Sequence, residues 1–123
     1  TLVDVSLPEG LEIIDDHAFE GFQGTGIKLP STLYYIGLQA FAFTNLESLT
    51  LPESVTSIDR KAFEANRQLK TLYCLSTTPP YLGEEGLANG AEGRKIYVPA
   101  ESVELYKSGG YGWSDYAHEI VAM

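Results

Sequence analysis

Three sets of residues recur along this chain at one interval. Leu7-Pro8, Leu29-Pro30 and Leu51-Pro52 are spaced by 22 residues, as are Ile14, Ile36 and Ile58, and as are Ala18-Phe19, Ala40-Phe41 and Ala62-Phe63. A period of this length restricts the fold to stacked units, because one unit cannot bury its apolar side and needs its copies to cover it. The register continues with small insertions. A step of 23 carries Leu49 and Leu51 to Leu72 and Cys74, and a step of 24 carries Ile58 and Phe63 to Leu82 and Leu87, with Gly86 in the alanine position. A further 24 reaches Ile96 and Val98, followed by Pro99 where Pro52 stood. The chain thus reads as four coils and a degenerate fifth.

Each coil divides into three parts. An alternating run comes first (Val3 to Leu7, Thr25 to Leu29, Glu47 to Leu51, Thr71 to Leu75, Lys95 to Val98), the mark of a half-buried strand. The proline after it cannot donate to a ladder and ends the pairing. A second extended piece ends in Ile14, Ile36 or Ile58, and a helical turn carries the Ala-Phe pair, where Ala permits close approach and Phe fills the interior. Stacking then makes apolar columns, among them Val5, Ile27, Leu49, Leu72 and Ile96, and Phe19, Phe41, Phe63 and Leu87. Equivalent strands are expected to pair in parallel about 4.8 Å apart, for a stack roughly 20–25 Å long. Cys74 takes a leucine position, so it is expected in the core as a small hydrophobe.

After Cys74 the pattern loosens. Thr77-Thr78-Pro79-Pro80 is a stiff extended connector. Residues 83–93, with glycines at 83, 86, 90 and 93, read as loop around one helical turn. Pro99 starts a helix over Ala100 to Ser108 that Gly109-Gly110 stops. A short turn over Trp113 to Tyr116 and an extended piece at Ile120-Val121-Ala122 close the chain. A solenoid needs its last coil covered, since an open core and strand edge invite aggregation. The helix, with Tyr106, Tyr111, Trp113 and Tyr116, is the expected lid. The chain is therefore expected to be one domain over 1–123: three regular repeats in 1–68, irregular repeats in 69–98, and a cap in 99–123.

Composition excludes several functions. With 17 acidic and 8 basic residues the net charge is −9, which repels phosphate backbones and anionic lipid, so nucleic acid is not an expected partner. No apolar run approaches the roughly 18 residues that span a bilayer, so no membrane insertion is expected. The chain opens on Thr1 without a Met or a signal peptide, which points to a processed or excised fragment. One cysteine permits no internal disulfide.

Chemistry is weakly represented. Asp15-Asp16-His17 has the composition of a metal trio, but adjacent residues on a turn diverge and no second cluster supplies further ligands. No G-x-S-x-G, H-E-x-x-H, C-x-x-C or EF-hand loop occurs. Gly21, Gly24 and Gly26 fall between coils rather than between a strand and a helix, which argues against a phosphate cradle. No catalytic, cofactor or metal residue is assigned, and the chain is read as no enzyme.

The unit L-x-x-L-x-L-P-x-x-V-x-x-I-x-x-x-A-F, intact from Leu46 to Phe63, resembles the BspA-like (Treponema-type) leucine-rich repeats. The ending is similar to the C-terminal portion of such proteins from Bacteroides-type bacteria: Thr78-Pro79-Pro80, then Ile96-Tyr97-Val98-Pro99, Val103 to Lys107 and Trp113 to Tyr116. It departs from the family in lacking a Cys after Ala-x-x and in having fewer repeats than typical adhesive arrays.

The resemblance implies an α/β fold, a right-handed leucine-rich-repeat solenoid of about five coils. It has short parallel strands, short helical turns and a C-terminal helical and aromatic cap. It also implies a secreted or cell-surface adhesion module that binds a protein or glycan on host or neighbouring cells; the alternative is a structural cap of a longer array. In such repeats the binding surface is the sheet face. Its exposed positions here include Lys28, Thr50, Thr71, Tyr73, Lys95 and Tyr97, with Tyr73 and Tyr97 expected in one column. Cross-strand tyrosines also stabilise a sheet on their own, and that scaffold role stands beside the binding one.

Overall fold

The computed structural model describes residues 4–123, with the backbone alone at Asp4. Val3, expected to open the first strand, lies outside the described residues. In chain order the strands are β1 (Asp4–Ser6), β2 (Ile13–Ile14), β3 (Gly26–Lys28), β4 (Tyr35–Ile36), β5 (Ser48–Leu51), β6 (Ser57–Ile58), β7 (Thr71–Cys74), β8 (Tyr81–Leu82), β9 (Lys95–Val98) and β10 (Ile120–Ala122). A 3-10 turn, Ala100–Ser102, leads into helix α1 (Val103–Ser108), and a second 3-10 segment spans Ser114–Glu119.

Every strand pairing is parallel, and odd and even strands up to β9 stack on different sides of the solenoid. On one side β2, β4, β6 and β8 form a continuous sheet in register Ile14↔Ile36↔Ile58↔Leu82. On the other, Val5 faces Ile27, and Leu49 faces Leu72, then Ile96, then Ile120. The apolar columns expected from the period are therefore real rungs. Cys74 pairs with Leu51 and is buried, and that burial pushes its thiol pKa up, which keeps it an inert part of the core.

The third side, carrying the Ala-Phe pairs, closes as consecutive hydrogen-bonded turns. Ala18 N–H donates to the Asp15 carbonyl and Phe22 N–H to that of Phe19, and the third residue of each turn has a positive φ: His17 at 61° and Gly21 at 77°. Later coils repeat both positions, with Gln39, Lys61 and Glu85 in the first and Phe43, Ala65 and Asn89 in the second. The left-handed residues turn alternate N–H groups toward the next coil. Phe19, Phe41 and Phe63 each donate, at 2.8 Å, to the carbonyls of Ala40, Ala62 and Gly86. The rings stack at 5.3 and 5.4 Å between centroids and lie within 6° of parallel, filling the interior beside the small Ala column.

At the C-terminal end β10 adds to β9 as one more parallel strand, and α1 packs over the coil. Trp113 and Tyr106 are buried, their rings edge-to-face at 5.4 Å. The connector before β8 supplies their hydrogen-bond partners. Tyr106 Oη donates to the Ser76 carbonyl (2.7 Å), Ser102 Oγ to Thr77 (2.7 Å) and Trp113 Nε1 to Pro80 (2.8 Å). Arg94, also buried, donates from Nε to Glu119 Oε1 at 2.5 Å and lies over the Tyr116 ring at 5.5 Å. The expected lid is present, and a strand and a partly buried ion pair complete it.

Candidate functional site

The outward residues of the odd-numbered strands make the face expected to bind. Tyr73 on β7 sits in register with Tyr97 on β9, and their rings stack at 5.2 Å with 21° between planes. One rung position earlier, Thr71 faces Lys95. Thr50 on β5 is the neighbour of Tyr73, so Thr50, Tyr73 and Tyr97 run as one column toward the cap. Lys28 occupies the equivalent place on β3 and is exposed. The structure thus brings all six residues onto one side of the stack.

It does not join them through an unbroken sheet. β1 pairs with β3, and β5, β7, β9 and β10 form a separate four-stranded sheet. Between the β3 and β5 segments a single backbone bond crosses, from Glu47 N–H to the Thr25 carbonyl at 3.0 Å. Even pairing of all equivalent strands was expected, so this seam is a correction. Gly26 offers a physical reason. A glycine inside a strand loses more backbone entropy on ordering and has no side chain to pair with Ser48 across the gap.

The seam opens into a groove of about 750 Å3. Its lining includes the apolar Val5, Ile27 and Leu49 and, from β3 and β5, Lys28 and Thr50. Leu75, exposed just beyond β7, also lines it, as do Glu9 and Ser31. Ser31 donates both its backbone N–H (3.1 Å) and its hydroxyl (2.5 Å) to the Glu9 carboxylate, and these two bonds hold that carboxyl below its ordinary pKa. Sequence reasoning missed Glu9 and Leu75; the one signal pointing to the groove is Gly26 inside an otherwise alternating run.

The trio Asp15-Asp16-His17 is arranged for turn formation. Asp16 Oδ1 accepts the Leu38 N–H at 2.8 Å, His17 has the left-handed φ its turn requires, and His17 Nδ1 lies 2.9 Å from Glu20 Oε1. Among the described residues no group of three or more His, Cys, Asp or Glu side chains is placed to hold a metal ion, and no helix is long and apolar enough to cross a membrane.

No curated protein matches the chain. The family description "BspA type Leucine rich repeat region" matches residues 1–108 in 6 copies. That span takes in all the regular coils, the strand face and α1. The stacked parallel strands, the repeating turn side and this match agree, and the chain belongs to the BspA-type leucine-rich repeat family.

Proposed function

We propose that this chain is a non-enzymatic protein-interaction module whose ligand lies along the strand face, over Lys28, Thr50, Thr71, Tyr73, Lys95 and Tyr97. The stacked, partly exposed Tyr73–Tyr97 pair beside a groove of mixed apolar and polar lining carries the reading. Tyrosines present a broad amphipathic surface at low entropic cost, and such residues dominate binding energy when a partner covers them. Lys28 and Lys95 flank the patch and add cationic groups to a chain of net charge −9. In its fuller form the reading is an extracellular or cell-surface adhesion module of a Bacteroides-type bacterium, engaging a protein or glycan on host or neighbouring cells. Family membership and the tail motifs support that setting.

A screen of matrix proteins and glycans against the intact protein identifies the ligand. Replacing Tyr73 and Tyr97 together by Ser is then expected to weaken binding at least tenfold with the fold unchanged. Equal binding by a folded double variant would sink the patch. A second reading, a structural terminator of a longer array, is favoured by the extent of the lid over the fifth coil. Under it the same screen returns no ligand for this chain.

A further inference from the structure

The sheet of β2, β4, β6 and β8 has an outer surface that the proposed function leaves unused. Its outward column reads Ile13, Tyr35, Ser57 and Tyr81, in direct register. Tyr34 lies beside it. Ile13 and Tyr81 on this column are 42% and 57% exposed, and Tyr34, one residue before β4, is 43% exposed. Tyr35 and Tyr81 stand two rungs apart, roughly 9–10 Å at the backbone, with only the small Ser57 between them. The Tyr35 ring is tethered, because its hydroxyl donates to Asp59 Oδ2 at 2.6 Å.

The charge around this face is one-sided. Residues within or directly beside its strands include the carboxylates Glu12, Asp15, Asp16, Asp59, Glu84 and Glu85, against Arg60 and Lys61. Within or beside the strands of the other face the exposed charged residues include Lys28, Lys70 and Lys95 against Glu47. Exposed aromatic rings with a carboxylate rim suit a cation that can lie on a ring and keep its charge near the acids. A second copy meeting this face with the same face would set acid against acid.

We infer that this sheet is a second interaction surface, and that it takes a basic segment of a protein partner, with an arginine or lysine side chain in the slot over Ser57 between Tyr35 and Tyr81. The inference is independent of the strand-face reading, since the two surfaces share no residue.

The test uses the whole chain and an oligoarginine peptide, with a glutamine-substituted peptide of equal length as control. Wild-type protein is expected to bind the arginine peptide, to bind it more weakly as salt rises, and to ignore the control. Tyr34→Ser with Tyr81→Ser leaves net charge unchanged and removes rings whose hydroxyls make no hydrogen bond among the described residues. That variant is expected to lose at least tenfold in affinity, whereas Tyr73→Ser with Tyr97→Ser on the other side retains wild-type affinity. Undiminished binding by the Tyr34/Tyr81 variant would mean that bulk charge alone attracts the peptide and would overturn the inference. So would concentration-dependent self-association abolished by that variant, which would make the occupant a second copy. Tyr34→Phe with Tyr81→Phe keeps the rings and should retain the affinity; its loss would also overturn the inference.

Discussion

Tyr35 and Asp59 show how one bond ties neighbouring coils and makes stability depend on pH. The Tyr35 hydroxyl donates to a carboxylate 24 residues away, one coil on. That bond, with burial and the nearby negative charge, pushes the phenol pKa up to about 12, and it holds the Asp59 carboxyl below its ordinary value. The signs follow. A raised phenol pKa means stability that is complete below the unfolded tyrosine value, about 10, and is lost as pH rises toward 12. A lowered carboxyl pKa means stability present above the unfolded Asp value, about 3.9, and lost as pH falls through the folded one. Tyr35→Phe is therefore expected to cost about 1 kcal/mol near neutral pH, because the bond is partly solvent-screened, and progressively less toward both extremes. Denaturant midpoints of the two proteins at acid, neutral and alkaline pH check this; a constant difference would show that the bond is not its source. The same scale explains His17. It occupies a left-handed turn position shared with Gln39, Lys61 and Glu85 in the following coils.

Among the elements, the cap is where local sequence and long-range packing meet. The stiff Ser76–Pro80 connector contains two prolines that cannot donate to a ladder, and its carbonyls accept instead from Tyr106, Ser102 and Trp113. The loop that delivers Trp113 crosses β8 closely: Leu82 N–H donates to the Tyr111 carbonyl at 2.8 Å, and Gly112 sits at φ 101° against the Leu82 carbonyl. A Cβ at this position would meet that backbone oxygen in a conformation side chains rarely adopt. Gly112→Ala is expected to destabilise by about 2–3 kcal/mol and to loosen the cap before the coils. Trp113 is the single tryptophan of the chain and is fully buried, so its fluorescence reports the cap directly. Red-shifted emission under conditions where the circular dichroism of the coils is unchanged is the expected result. Emission at the wild-type wavelength with wild-type stability would contradict it.

For the whole molecule, the odd-strand side carries a seam, a groove and the tyrosine pair, and the even-strand sheet carries exposed aromatics within an acidic rim. Stability in such a stack is the sum of coil-to-coil interfaces, so an uncovered end is both a loss of contacts and an adhesive edge. Removing residues 109–123 takes away β10, Trp113 and Ile120, uncovering β9 and the Ile96 rung. The shortened protein is expected to form larger species in light scattering at concentrations where the full chain does not. A monodisperse truncation would place the stabilising contacts elsewhere.

The 22-residue period suffices to specify the architecture. Held by three sets of positions, it assigns each apolar residue to a rung, so the Leu49–Leu72–Ile96 and Phe19–Phe41–Phe63 columns and the place of Cys74 follow from residue order alone. The alternation also places Tyr73 beside Tyr97, because equal register positions in parallel strands must be neighbours. Other features depend on the cumulative geometry between coils and are settled only by packing. Whether β3 and β5 stay paired is decided by packing, and Gly26 is the one residue in the pattern that hints at the break. The Arg94–Glu119 pair and the parallel addition of β10 join segments outside the period, so no interval announces them. The second face is hidden from sequence for a similar reason: its strands are two residues long, too short for alternation to show which side each residue takes.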